Sequence, residues 1–356
     1  MKYNIDVHPV KSSRINEVDF SNLPFGRIFS DHMFTADYIN GEWTNIQIIP
    51  FQNFSLHPAN LALHYGQSIF EGMKATKTVD GTPVLLRPEM HSHRMNASAH
   101  RLCMPEFPED LFLQALHELI GLDSDWIPTS SGSALYIRPY MFATGEFIGV
   151  QASDTYKFVI FTCPVGPYYS KPVRLWVEEK YVRAVDGGVG EAKCAGNYAA
   201  SLYPAKLAKE RGYDQVMWMD AHEFKYIQEA GTMNFMFVID GKVITPATDG
   251  SILKGITRDT ILKILAYKGI PVEERKVAIT ELVDAYQNGK LQEAFGVGTA
   301  AVVIGVEDIT YRDMVMKIPP MQIGKMLKEE IENIRTGRIE DKMGWLVPVT
   351  TVEATV

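Results

Sequence analysis

The chain has 356 residues, enough for two domains with full cores, and 46% of them are hydrophobic against 22% charged, an ordinary globular balance. A net charge of −8 without a dense lysine and arginine cluster argues against broad nucleic-acid binding, and no apolar run reaches the ~18 residues of a membrane span. The opening MKYNIDVHPVKSSRINEVDF lacks the apolar core of a secretory signal, and Cys103, Cys163 and Cys194 match no metal or redox motif, which points to a reducing cytoplasm.

Residues 1–60 read as loop-rich and aromatic, with Phe25, Phe29, Phe34, Tyr38, Trp43, Phe51 and Phe54 as core or pocket wall. Residues 55–75 read as a short turn or helix and then a strand. A strand over 82–88 leads into a helix that carries His91, His93 and Arg94. Histidines two residues apart point to different helix faces, so no metal pair is expected and both are assigned to a solvated face. Residues 109–120 place Leu111, Phe112, Ala115, Leu116 and Leu119 on one helical stripe. Strands are expected at 133–142 and 156–163. The proline and glycine of the connector 164–172 set a boundary between domains of residues 1–168 and 169–356.

The second half opens with a strand over 173–184 and reaches DGGVGEAKCAGNYA, residues 186–199. Four glycines there suit a backbone that passes close to a bulky group, and one amine, Lys193, sits among them. An amine partly removed from water is more readily neutral and nucleophilic, as Schiff-base formation with an aldehyde requires. A solvated surface lysine is the plainer alternative. A phosphate loop fits poorly, because Ala192 precedes the lysine and Cys194 follows it. A helix is expected over 198–211, with Pro204 predicting a kink or a late start. Strands follow at 215–219 and 234–239, the latter turning at Asp240-Gly241 into 242–245. A helix over 258–267, paired strands about 293–304, and a terminal helix with Ile323, Met326, Leu327, Ile331 and Ile334 on one face complete an α+β or α/β mixture.

A site for pyridoxal phosphate needs an amine, an anion for the pyridine nitrogen, a phosphate cradle and a place for a substrate carboxylate. Glu229, in YIQEAGTMN, ends a strand-like run at a small-residue turn and could serve as the anion, or be an ordinary exposed hairpin glutamate. LKGITRDT (253–260) opens a helix whose N–H groups could receive a phosphate, with Thr257 as donor or as a plain cap. FGVGTAAV (295–302) offers Thr299 in a second small-residue turn, and Arg94 is one candidate to complete the cradle.

The segments LALHYGQSIFEGMKA, LYIRPYMF, GGVGEAKCAGNYA, QEAGTMNFMF, KGITRDTILK and FGVGTAAV follow one another in order. Their series resembles the branched-chain amino acid aminotransferases, of the fold-type IV group of pyridoxal phosphate enzymes, over nearly the whole chain. FGRIFSDHMF and HRMNASAHRLCMP look closer to the animal-type branch than to the shorter bacterial type. The resemblance implies a two-domain, mixed α/β fold with the site at the domain interface, in a homodimer. It also implies transfer of the amino group of leucine, isoleucine or valine to 2-oxoglutarate. Lys193 then carries the cofactor and shuttles the proton. Glu229 meets the pyridinium, Tyr198 the ring hydroxyl, and Arg94, Ile256, Thr257 and Thr299 the phosphate. Thr232, the Ala300 N–H and Tyr65 receive the substrate carboxylate. Phe25, Phe70, Tyr136 and Tyr168 wall an apolar pocket. Arg138, Ile148 and Val150 lie near the site, some of them from a partner subunit. The animal-type redox cysteine pair is absent from TAAVVIG, and Cys194 is expected only to pack. A D-amino acid aminotransferase or aminodeoxychorismate lyase of the same fold is the alternative, and a non-catalytic nucleotide-binding protein the reading from another class.

Overall fold

The first sheet starts from a hairpin, His32–Ile39 with Glu42–Pro50, turned at Asn40-Gly41. Both turn residues have positive φ (54° and 87°), the geometry that Asn-Gly favours between twisted strands. A loop-rich reading of residues 1–60 is thereby corrected: the Asn-Gly pair between alternating side chains carried the strand signal. The computed structural model describes residues 3–350.

Around that hairpin the described residues build a nine-stranded sheet. Its order is Asp6–Val7, Glu42–Pro50, His32–Ile39, Tyr156–Val165, Ala134–Ala143, Met73–Lys77, Pro83–Leu86, Leu346–Pro348, with Ser68–Phe70 also paired to Ala134–Ala143. All pairings but the first are antiparallel. The helices Pro88–Arg101 and Glu109–Leu122 belong to this unit. The expected stripe Leu111, Phe112, Ala115, Leu116 and Leu119 is fully buried. Phe107 stacks on Phe158 at 3.7 Å between centroids, with Phe34, Trp43 and Phe112 around them.

The second unit contains a ten-stranded mixed sheet among the described residues. Its order is Val272–Glu274, Lys242–Thr245, Asn234–Ile239, Leu291–Gly298, Val302–Tyr311, Val173–Val177, Gln215–Met219, Tyr226–Ala230, Val277–Ala278, with Met314–Lys317 on Val302–Tyr311. Tyr226–Ala230 and Asn234–Ile239 stand five steps apart in that order, about 24 Å in a flat sheet. The three-residue link between them reaches at most about 14 Å. The sheet therefore curls on itself, and an Ala230–Met233 bridge closes the turn.

The first unit runs to Tyr168 and takes back two later pieces, Ala192–Ala195 and the chain from Glu332; Tyr169–Glu191 and Gly196–Ile331 form the second. Two local expectations are corrected. The strand expected over 173–184 stops at Val177, because the Glu178 carboxylate accepts the Lys180 and Tyr181 N–H groups and turns the chain. The helix with Pro204 starts early, at Ala195, and continues through the proline to Glu210. Among the described residues no helix is long and apolar enough to cross a membrane.

Candidate active site

Lys193 belongs with the first unit, and its backbone is fixed there. Its N–H donates to Ser98 Oγ at 2.9 Å, its carbonyl accepts the Phe70 N–H at 3.0 Å, and Cys194 bridges to Ile69. The lysine is thus stitched to the short strand Ser68–Phe70 and to the helix Pro88–Arg101. Its side chain is partly buried, with Nζ 4.8 Å from the centre of the Phe70 ring. That partial burial sets the side chain apart from a fully solvated surface lysine. Cys194 is buried among its neighbours, as expected of a packing residue.

Residues two apart on a strand share a face, which puts Tyr136 and Arg138 of Ala134–Ala143 side by side. The Arg138 guanidinium lies 4.7 Å from the Phe70 ring centre and donates from Nη2 to Tyr136 Oη at 3.1 Å. Its Nε is buried without a hydrogen-bond partner, a donor set for an anion. Phe25 meets Tyr136 at 5.1 Å and Tyr168 at 4.7 Å, both edge-on. Burial pushes the Tyr168 hydroxyl above its ordinary pKa. Gly72 has to be glycine, since a Cβ there would lie 2.0 Å from Tyr136 Oη. Phe25, Phe70, Tyr136, Arg138 and Tyr168 are therefore one connected group.

Arg94 is held from below by Glu71, which is fully buried. Nε and Nη2 donate to its two oxygens at 2.7 and 2.8 Å, and His91 Nδ1 lies 2.7 Å from Oε2. Burial pushes the Glu71 carboxyl up, but Arg94 and His91 outweigh it and hold it far below the usual range. Burial also lowers the His91 pKa, with Arg94 and Lys193 adding to the effect against Glu71. The solvated-face assignment is right for His93, which is exposed beside Glu109, and wrong for His91, which is buried. The helix turns His91 inward because Met95, Ser98 and Ala99 define its buried side.

Tyr65, Ile148 and Val150 join none of these contacts among the described residues and are 41%, 67% and 90% exposed. Tyr65 ends the helix Leu61–Tyr65. The loop with Ile148 and Val150 is tied down where Ser153 N–H donates to Gln67 and Leu61 N–H to the Gly145 carbonyl.

Within the second unit, Glu229 is 3% exposed, so it is no exposed hairpin residue. Arg183 Nε lies 2.5 Å from its Oε2 and Asn234 Nδ2 donates to its Oε1 at 3.0 Å. Tyr198, Thr232, Gly231, Ser201 and Leu253 line a shallow cleft with it. Tyr198 is half-buried in the helix Ala195–Glu210, and Thr232 is exposed.

Asn234 also donates to the Leu253 carbonyl at 2.8 Å, and its Oδ1 occupies the space a Cβ on Gly255 would fill, 1.9 Å away. Gly255 caps the helix Ile256–Tyr267 and, having no side chain, bonds none of its first N–H groups with one. Ile256 is buried and Thr257 half-buried at that start. Asn234 pairs in register with Val297, one residue before Gly298 and the turn Thr299, Ala300, Ala301. Val302 follows that turn at φ +61°, a strained conformation for a β-branched residue.

Glu71, His91, Arg183 and Asn234 were not singled out from sequence as parts of the site. Glu71 and Asn234 stand inside segments already noted, but their roles depend on partners distant in the chain.

The class IV amino-transferase family model matches residues 68–309. The branched-chain-amino-acid aminotransferase 2 of Bacillus subtilis is 45% identical over 348 residues, 96% of each chain. The solved branched-chain amino acid aminotransferase of Escherichia coli is 27% identical, with a TM-score of 0.72 over 89% of this chain and 100% of its own. The T.th. branched-chain amino acid aminotransferase, solved with pyridoxamine 5′-phosphate, is 27% identical, with a TM-score of 0.71 over 88% and 98%. The longer form of the chain thus has a bacterial counterpart of matching length beside the shorter bacterial type. The fold is fold-type IV, the cofactor of the group is pyridoxal phosphate, and the chain belongs to the class IV aminotransferases, in the branched-chain-amino-acid aminotransferase family.

Proposed function

We propose that the chain transfers the amino group of L-leucine, L-isoleucine and L-valine to 2-oxoglutarate, reversibly, with pyridoxal phosphate as cofactor. The donor set fits that group: a buried, oriented carboxylate, a glycine-capped helix start with no room for a Cβ, and a lysine fixed at its backbone. When bound, the group supplies an aldehyde carbon and an electron-withdrawing ring.

Lys193 Nζ acts first as nucleophile and then as the base that moves the proton from the substrate Cα. Glu229 would accept the pyridine N–H, and Arg183 and Asn234 hold its carboxylate in place. Tyr198 donates to the ring hydroxyl oxygen. Arg94, Thr299 and the N–H groups of Ile256 and Thr257 hold the phosphate. Thr232 and the Ala300 N–H, with Tyr65, receive the substrate carboxylate. Phe25, Phe70, Tyr136 and Tyr168 exclude water from the aliphatic side chain. The unpartnered Arg138 Nε takes the second carboxylate of glutamate.

We infer a homodimer, because Ile148 and Val150 expose aliphatic side chains on an anchored loop. In the dimer they reach the site of the partner subunit. Residues 169–356 carry most of the cofactor contacts, and three free cysteines suit the cytoplasm.

The buried Glu229 with its two partners is the observation that carries this reading. The test is the visible spectrum of the holoenzyme and of Lys193→Ala, before and after L-leucine. The native band bleaches with L-leucine, and the variant lacks that response. A response to D-alanine and not to L-leucine would remove the substrate assignment, and a chain that takes up no cofactor would remove the whole reading.

A further inference from the structure

The helix Pro88–Arg101 carries His91, Arg94 and Ser98 at spacings of three and four residues, which places them along one face. His91 and Arg94 meet Glu71 there, whereas Ser98, 1% exposed, has other partners. Its Oγ accepts the Lys193 N–H at 2.9 Å and donates to the Arg94 carbonyl at 3.0 Å. One buried hydroxyl thus spends its donor and an acceptor site on the two residues assigned above to opposite ends of the cofactor.

A second path joins the same two residues. The Lys193 carbonyl accepts the Phe70 N–H at 3.0 Å, and the carboxylate of the next residue, Glu71, holds the Arg94 guanidinium at 2.7 and 2.8 Å. Lys193, Ser98, Arg94, Glu71 and Phe70 therefore close a ring within the first unit, drawn from three separate segments of the chain. The ring holds Lys193 by both its N–H and its carbonyl, and Arg94 by both its backbone and its side chain. With one link cut, the other path still tethers the two residues, but their spacing relaxes. A ligand held at only one of them does not sense that change. A ligand held at both does, because it loses the preorganised spacing.

We propose that Ser98 is a positioning residue that sets the spacing between Lys193, where an aldehyde is held, and Arg94, where a phosphate is held. Both of its partners are backbone groups, so it acts through these two residues and not on the ligand. This role rests on the parts given to Lys193 and Arg94 in the proposed reaction.

The test measures how the full chain, stripped of cofactor, binds pyridoxal phosphate and pyridoxal, which keeps the aldehyde and lacks the phosphate. Ser98→Ala suits a helix interior and leaves the Lys193 N–H without its acceptor. In equilibrium dialysis it should bind pyridoxal phosphate about tenfold more weakly than the native chain, the weight of one buried hydrogen bond, and pyridoxal within about twofold. Ser92→Ala is the control: it removes, from the same helix, a hydroxyl that is 1% exposed and has no hydrogen-bond partner. It should keep the native preference for pyridoxal phosphate over pyridoxal. A general loosening of the fold weakens both ligands alike, and that result in Ser98→Ala would overturn the role. So would native affinity for pyridoxal phosphate, or a Ser98→Ala chain that shows no urea transition where Ser92→Ala does, since Ser98 would then serve folding alone. If the native chain itself binds the two ligands equally, Arg94 does not hold a phosphate, and the role falls with the part it rests on.

Discussion

Glu71 has no exposure to water and still keeps its charge, because Arg94 meets both of its oxygens and His91 a third direction. Removing that charge strands a guanidinium in a buried place. Glu71→Gln is expected to cost about 3–5 kcal/mol, read as a lower urea midpoint with unchanged slope, and to weaken cofactor retention through a misaimed Arg94. The pH dependence follows from the same group. Its folded pKa lies below the ordinary 4.5, so its stabilisation is complete above about that pH and is lost as the pH falls further toward the folded value. His91 has the same sign, since burial lowers its pKa from 6.5, and its contribution weakens on acidification below about that value. The urea midpoint of the native chain should thus fall more steeply between about pH 4.5 and 3 than that of Glu71→Gln. Equal slopes would mean that the pair does not titrate as described. The Cys163 thiol, pushed up to about 11 by burial, is expected to resist alkylation at neutral pH in the folded chain.

Two elements meet at Asn234, which bonds Glu229 on one side and the Leu253 carbonyl on the other. The helix Ile256–Tyr267 starts at Gly255 because only glycine leaves room for the asparagine oxygen. Gly255→Ala forces Asn234 to move and loosens both contacts together. We expect at least ~tenfold weaker pyridoxal phosphate binding by equilibrium dialysis, the loss of about one charge-assisted hydrogen bond. A control at Gly241, where an added Cβ meets nothing but φ is +78°, should lower stability slightly and leave cofactor affinity unchanged. The hairpin at Asn40-Gly41 and the terminal helix with Leu327, Ile331 and Ile334 buried belong to the same scale: their turns and faces are set locally, by dihedral preference and by spacing.

For the molecule as a whole, the proposed side-chain pocket offers leucine, isoleucine and valine aliphatic contact, and one methylene is worth only about 1–3 kcal/mol in such a pocket. Values of kcat/KM for leucine, isoleucine and valine should therefore lie within about 200-fold of one another. A wider spread would count against selection by apolar contact alone. The proposed homodimer makes a separate claim. Val150 is 90% exposed, so Val150→Asp should leave the fold of one chain intact while raising the dimer dissociation constant at least ~tenfold in sedimentation. An unchanged dimer would move the interface elsewhere.

The sequence by itself determined the elements with strong local signals: the apolar stripe from Leu111 to Leu119, the Asp240-Gly241 hairpin, the glycine-bounded lysine and the ordered motifs that placed the chain in its family. Those depend on period, turn chemistry and residue order, all of which are written along the chain. What only the tertiary structure decided were the partners of charged groups. Arg94 meets Glu71 across 23 residues, Lys193 is fixed to Ser98 across 95, and Arg183 meets Glu229 from a separate strand and loop. It also moved His91 from solvent to interior and returned Ala192–Ala195 to the first unit. Whether a charge is buried, and against which counter-charge, depends on how distant segments pack, and no local preference in the sequence encodes that.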